Sequence, residues 1–317
     1  MSDVRPEGGR VLVAGATGFV GRGLVEAFAA RGVRPRITSR TPALASALFG
    51  DRADVVSADW VNGRNTEGVG EGIRVAYYLV HSMGSRPDFA EADRLAAGRF
   101  AREMERARVE RIVYLGGLGE EGSTLSPHLA SRREVEGVLR RGAVPVTTLR
   151  AAIILGAGGS SFEMLVQLVE KLPVMLCPRW VVTPCQPIAI EELLRYLVGC
   201  ADHPDTVGRT FDVGGPDVLT YRSMLERVGD RIGRRPWLIV VPVLTPSLSA
   251  HWVGFITRVP SDVARPLVEG MKNPVVCRED RIVRLLPGPR IPFEAALDRA
   301  MRGRAPGVRR FAGSPSG

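Results

Sequence analysis

Val11-Leu12-Val13-Ala14-Gly15-Ala16-Thr17-Gly18-Phe19-Val20-Gly21 is the stretch that decides the fold. Its first four residues form a short apolar run, typical of a buried strand, and Val20, Leu24, Val25 and Phe28 then recur at helical spacing. Between them Gly15, Gly18 and Gly21 stand in a G-x-x-G-x-x-G pattern. A glycine turn between strand and helix lets the backbone approach a pyrophosphate, which then rests on the helix's N-terminal amides. The turn residues Thr17, Phe19 and Val20 belong to the same expected site.

The next strand, Arg34 to Arg40, says which dinucleotide fits. It ends in Ser39 and Arg40, where a site selective for NAD(H) carries an acid for the ribose hydroxyls. A guanidinium there pairs with a 2′-phosphate, so NADP(H) is expected over NAD(H). Strand-like runs follow at Ala53–Asp59, Val75–His81, Glu110–Gly117 and Val144–Arg150. Helical patterns lie between the later ones, at Phe89–Arg108 and Ser126–Arg141, the second opening on a Ser-Pro cap. Strands separated by helices require crossovers, hence a doubly wound α/β fold with a parallel sheet covered on both faces.

After about Gly156 the rhythm changes. Ser160 and Glu163 read as a capping box ahead of a helix, and proline becomes frequent. The sequence therefore divides into a dinucleotide-binding domain over 1–155, a smaller substrate lobe over 156–300 that partly returns to the sheet, and a frayed basic tail over 301–317.

Composition narrows the functions. The chain has 317 residues, 45% hydrophobic and 24% charged, as an ordinary globular protein does. Its net charge of +9 comes almost wholly from arginine, since Lys171 and Lys272 are the only lysines. The arginines are dispersed rather than clustered, and aromatics make up 6%, so no nucleic-acid partner is expected. The four cysteines form no C-x-x-C pair, which reads as free thiols in a reducing cytoplasm and no metal. Residues 236–257 carry no formal charge, but Pro236, Pro242 and Pro246 interrupt any helix there. That segment is expected to wall an apolar substrate, with contact to a membrane surface the lesser expectation.

At these residues the sequence resembles the short-chain dehydrogenase/reductase superfamily in its extended, atypical branch. GATGFVG is similar to that branch's glycine signature, SADW with Asp59 to its acidic position beside the adenine, and TFDVGGPDVLTY to its late Gly-Gly-Pro turn. YYLVHSM, VYLGGLG, HLASRREVE and QPIAI further resemble a bacterial NmrA-like NAD(P)-binding subgroup. The resemblance implies a Tyr that donates a proton, a Lys four residues later, and a Ser or Thr on the preceding strand's loop.

None of the three is present. No Tyr-x-x-x-Lys or Tyr-x-x-x-Arg occurs, and the strand VYLGG ends in Gly116-Gly117. His128 stands where the Tyr would lie and Arg132 where the Lys would lie, four residues apart on one helical face. An imidazole can move a proton near neutral pH, and a neighbouring guanidinium would depress its pKa and hold a ribose hydroxyl or phosphate. His81 and Ser82 end the fourth strand at the sheet's carboxyl edge, where such sites open, and His81 is a further candidate to touch cofactor or carbonyl. Tyr78 is expected in the core. Three functions stay open: an NADP-dependent reductase of an apolar molecule, a non-catalytic NADP(H)-binding sensor or assembly protein, and a non-redox isomerase or cyclase.

Overall fold

The computed structural model describes residues 10–81, 89–119, 126–241 and 271–304. Strand β1 (Arg10–Ala14) runs into the glycine turn and out into α1 (Phe19–Ala29). Then come β2 (Arg36–Ser39), α2 (Pro42–Phe49), β3 (Asp54–Ser57), β4 (Ile73–Tyr78), α3 (Phe89–Arg106), β5 (Arg111–Gly117), α4 (Pro127–Arg140) and β6 (Val146–Ala151). The second half adds β7 (Ile154–Leu155), α5 (Ser160–Lys171), β8 (Val174–Pro178), β9 (Pro184–Cys185), β10 (Ile188–Ala189), α6 (Ile190–Gly199) and β11 (Thr210–Val213). It closes with β12 (Leu219–Thr220), α7 (Tyr221–Ile232), β13 (Trp237–Val241), α8 (Arg281–Leu285) and α9 (Phe293–Gly303).

Seven strands make one parallel sheet in the order β11-β6-β5-β4-β1-β2-β3. The order reverses beside β1, so the carboxyl ends of β1 and β4 flank the crevice where ligands of such sheets bind. Strand alternation sends Val11, Val13, Val75 and Tyr77 to one face, against Leu24, Phe28 and Tyr196 of α1 and α6. Leu12, Ala14, Ala76 and Tyr78 go to the other, against Phe100, Met104 and Leu139 of α3 and α4. Both faces are apolar because both are covered. Tyr78 is fully buried, as expected.

A separate apolar cluster, including Phe162, Leu165, Tyr221, Met224, Val228, Phe293 and Leu297, knits α5, α7 and α9 together. Strand β11 comes from this half of the chain, yet pairs with β6 at the sheet edge.

Three local expectations need correction, and a further segment gains an element. The fourth strand stops at Tyr78 rather than reaching His81. Its neighbour β1 turns away at Gly15, with φ +88°, and after one more bond, Leu79 N to Ala14 O at 2.9 Å, β1 offers it no further partner. Ser160 is the first residue of α5 and not its cap; Gly159 takes that place, close against the Phe19 ring, where a Cβ would lie 3.0 Å from a ring carbon. Glu163 accepts from the Gly158 amide (3.4 Å) and pairs with Arg304 (3.0 Å). Helix α9 runs through Gly303, three residues into the expected tail, anchored by Arg304 on Glu163 and Glu170. Lastly, the start of the uncharged segment is a strand: β13 pairs with β8, leaving Val174, Leu176, Trp237 and Ile239 exposed in two cross-strand pairs. The rest, from 242 to 257, lies outside the described residues. No helix among the described residues is long and apolar enough to cross a membrane.

A Cβ built on Gly15 would lie 2.6 Å from the Leu79 carbonyl carbon and oxygen, in a backbone conformation that L-residues avoid. Gly15→Ala is therefore expected to destabilise the fold by about 1–3 kcal/mol, the usual effect of overpacking. Urea unfolding checks this, and an unchanged midpoint would contradict the close approach.

Candidate active site

The glycine turn presents backbone and little else. Gly18 caps α1 with no side-chain hydrogen bond to the first-turn amides, and no acid stands in that turn. Its amide donates to Gly15 O (3.2 Å), and Arg22 Nε donates to Thr17 O (2.8 Å), which fixes the loop from below. Phe19 lays its ring against Gly156 and Gly159, and Val20 packs on the core. The amides this leaves toward the crevice fit a dinucleotide pyrophosphate.

Ser39 is buried at the end of β2, its Oγ accepting from Thr41 N (3.1 Å), and Arg40 follows it, exposed. Asp59, just past β3, accepts from Val61 N (3.0 Å), Asn62 N (3.1 Å) and Asn62 Nδ2 (2.7 Å). Partial burial works against its charge. Asn62, the two amides and the charge of Arg40 together outweigh that, and the carboxyl sits below its ordinary range. Ser82 lies outside the described residues.

The chemical groups meet beyond the end of β4. His81 Nδ1 stands 2.9 Å from Asp93 Oδ2, and His81 Nε2 stands 3.3 Å from His128 Nδ1. The two rings are 4.9 Å apart between centroids and tilted by 47°. Asp93, in the first turns of α3, is 1% exposed. His128 is in the first turn of α4, whose start is set by Ser126 Oγ accepting from Leu129 N (3.3 Å). Burial lowers the pKa of both imidazoles. For His81, Asp93 partly offsets this, and for His128 the neighbouring His81 and the charge of Arg132 add to it, bringing it down to about 3. Both rings are neutral at physiological pH.

Comparison with known proteins agrees with the fold. A family model described as NAD(P)H-binding matches residues 15–167. Among curated proteins, a ceramide reductase of Caulobacter vibrioides is 30% identical over 80% of this chain and 81% of its own length. The alpha subcomplex subunit 9 of mitochondrial NADH dehydrogenase from Arabidopsis thaliana is 23% identical over 81% of this chain, and the match spans 66% of that protein. Among solved structures, a nucleoside-diphosphate-sugar epimerase from Staphylococcus aureus superposes with a TM-score of 0.74 at 12% identity, over 91% and 99% of the two chains. The Bordetella bronchiseptica enzyme WbmG, solved with NAD, gives 0.71 at 14% over 95% and 96%. The chain belongs to the NAD(P)H-binding proteins of the extended short-chain dehydrogenase/reductase superfamily.

Within that superfamily this site is built differently. Arg132 shares a helical face with His128, but its guanidinium donates to the Leu115 carbonyl and lies 5.1 Å over the Tyr114 ring. Tyr114 in turn donates its hydroxyl to the Arg132 carbonyl (3.0 Å). His128 is thus paired with His81, and Arg132 acts on both rings as a nearby charge. At the Gly-Gly end of β5 a Cβ on Gly117 would lie 2.8 Å from the Leu129 Cδ2 methyl, so a side chain there would require that leucine to shift.

Asp93 was missed by sequence reasoning. The signal available was an acid on the apolar stripe of α3 formed by Ala92, Ala96, Ala97 and Phe100. A carboxylate on a buried stripe needs a partner, and His81 is that partner here.

The depressed pKa of His128 has a measurable consequence. Folded, it protonates near 3; unfolded, near 6.5, so the unfolded chain binds more protons between those limits. Its contribution is fully present above about pH 6.5 and is lost as pH falls toward 3, by at most about 1.4 kcal/mol per pH unit. His128→Gln should flatten the decline of the urea midpoint between pH 7 and pH 4. Parallel curves for variant and wild type would contradict it.

Proposed function

We propose that the protein is an NADP(H)-dependent reductase of a carbonyl group on an apolar, lipid-like molecule, working in a reducing cytoplasm. The observation that carries this is the line of hydrogen bonds from buried Asp93 through His81 to His128, ending on the residue that stands where the superfamily's proton-donating Tyr would lie. Such a line can carry a proton to or from a substrate oxygen.

The pyrophosphate would be held by the turn of Gly15, Thr17, Gly18, Phe19, Val20 and Gly21, with Asp59 toward the adenine and Ser39 and Arg40 toward the 2′-phosphate. The dihydronicotinamide would supply a hydride, and His128 would set the proton at the carbonyl oxygen. An apolar substrate is supported by the relative named as a ceramide reductase. The buried, unpaired thiols of Cys177, Cys185 and Cys200 suit a reducing compartment.

One observation favours a non-catalytic NADP(H) binder instead. Arg132 spends its guanidinium on the Leu115 carbonyl rather than standing free to replace the Lys that grips the nicotinamide ribose.

Fluorescence titration should find NADPH bound more tightly than NADH, with Arg40→Ala removing about 1.5–3 kcal/mol of that preference. Equal affinities in wild type would refute the Arg40 assignment. Turnover of long-chain ketones in mixed micelles, followed by loss of dihydronicotinamide absorbance, decides between enzyme and binder. His128→Gln should lower it about 10²–10⁴-fold with NADPH affinity unchanged. Tight NADPH binding with no turnover on any ketone would support the binder.

A further inference from the structure

A histidine protonating near pH 3 is a poor acid if it must pass through the imidazolium. The hydrogen-bond line offers another way. With Asp93 ionised, its carboxylate can only accept, so His81 carries its proton on Nδ1 and has a bare Nε2. That bare nitrogen requires His128 to donate from Nδ1, which leaves His128 Nε2 as a lone pair.

We propose that Asp93, His81 and His128 form a proton wire with two states, and that Asp93 is its proton store and the positioning residue of the site. In the accepting state Asp93 is a carboxylate and both rings carry Nδ1–H, so His128 Nε2 accepts. In the donating state Asp93 is a carboxylic acid giving its proton to His81 Nδ1, His81 gives Nε2–H to His128 Nδ1, and His128 Nε2–H donates. The two states differ by one proton, and neither places a charge on an imidazole.

During reduction one hydride reaches the carbonyl carbon and one proton reaches its oxygen. The proton leaves His128 Nε2, His81 Nε2–H moves to His128 Nδ1, and the Asp93 proton moves to His81 Nδ1, restoring the carboxylate. Oxidation of the alcohol runs the same shifts backwards. This step rests on the reductase reading; the two-state wire itself does not.

The charges around the wire suit it. Burial and Arg132 from α4 disfavour an imidazolium at either ring, and Asp93 from α3 is the anion in contact with His81. Tyr78 and Tyr114, beneath on β4 and β5, are both buried with raised pKa values and stay protonated. The group whose charge differs between the two states is the carboxyl, and both rings stay neutral.

The test uses the full-length, cofactor-free protein with ¹⁵N-labelled histidine, and long-range proton–nitrogen NMR reads which ring nitrogen holds the proton. His81→Asn and His128→Asn assign the signals. At neutral pH both rings should be Nδ1–H tautomers. On acidification both should change to Nε2–H together, at one midpoint, with no imidazolium pattern. Asp93→Asn should abolish the coupled change, and Asp93→Glu should restore it.

Asp93→Asn should also lower kcat about 10²–10⁴-fold while leaving NADPH affinity unchanged. An imidazolium with its own midpoint at either ring would overturn the wire. So would Nε2–H on His81 at neutral pH, or the absence of any coupled change down to acid unfolding. If the wire is present and no ketone is turned over, the reductase reading alone fails. If turnover occurs without it, only the wire does.

Discussion

A backbone contact between Gly15 and Leu79 sets the geometry on which the site depends. Gly15 turns the chain out of β1 with its Cα pressed against the Leu79 carbonyl, and there the pairing of β1 with β4 ends. On one side of that contact the released backbone becomes the glycine cradle at the start of α1. On the other, β4 leaves the sheet and delivers His81 to the crevice. Cofactor cradle and imidazole are neighbours because two parallel strands stop at the same level.

What surrounds His81 then determines its chemistry. Helix α3 brings a carboxylate to Nδ1 and α4 brings a second imidazole to Nε2, each from a helix's first turns, where position is fixed by the sheet beneath. The same helix α4 sets the Leu129 methyl beside Gly117, and its Arg132 reaches back to β5 for a hydrogen bond. Where the resemblance leads one to expect a hydroxyl, a phenol and an ammonium, the structure brings together a carboxylate and two imidazoles.

Much of this was legible in the chain. The alternation of apolar runs with helical patterns gave the parallel sheet, because crossovers leave few alternatives. The resemblance marked His128, and the end of the fourth strand marked His81, as candidates separately. Their contact was not legible, because it joins residues 47 positions apart through the level at which β4 stops and the spot where α4 begins. Four-residue spacing suggested instead that His128 acts with Arg132. Spacing puts two side chains on one face, but the orphan carbonyl of Leu115 and the ring of Tyr114 decided where the guanidinium went. Asp93 was visible only as a polar interruption of an apolar stripe, and the start of α5 was misplaced by one residue, at a spot where Phe19 of a distant helix packs on Gly159.

The central claim is that His128, backed by His81 and Asp93, takes the place of the missing Tyr at the nicotinamide end of the cofactor. A crystal structure of the NADPH complex tests it most directly. The account expects His128 Nε2 to face the nicotinamide end of the crevice, within hydrogen-bond reach of a carbonyl oxygen placed over the ring, with both inner bonds of the line intact. A nicotinamide directed away from His128, or a bound cofactor that breaks the contact between His81 and His128, would contradict it.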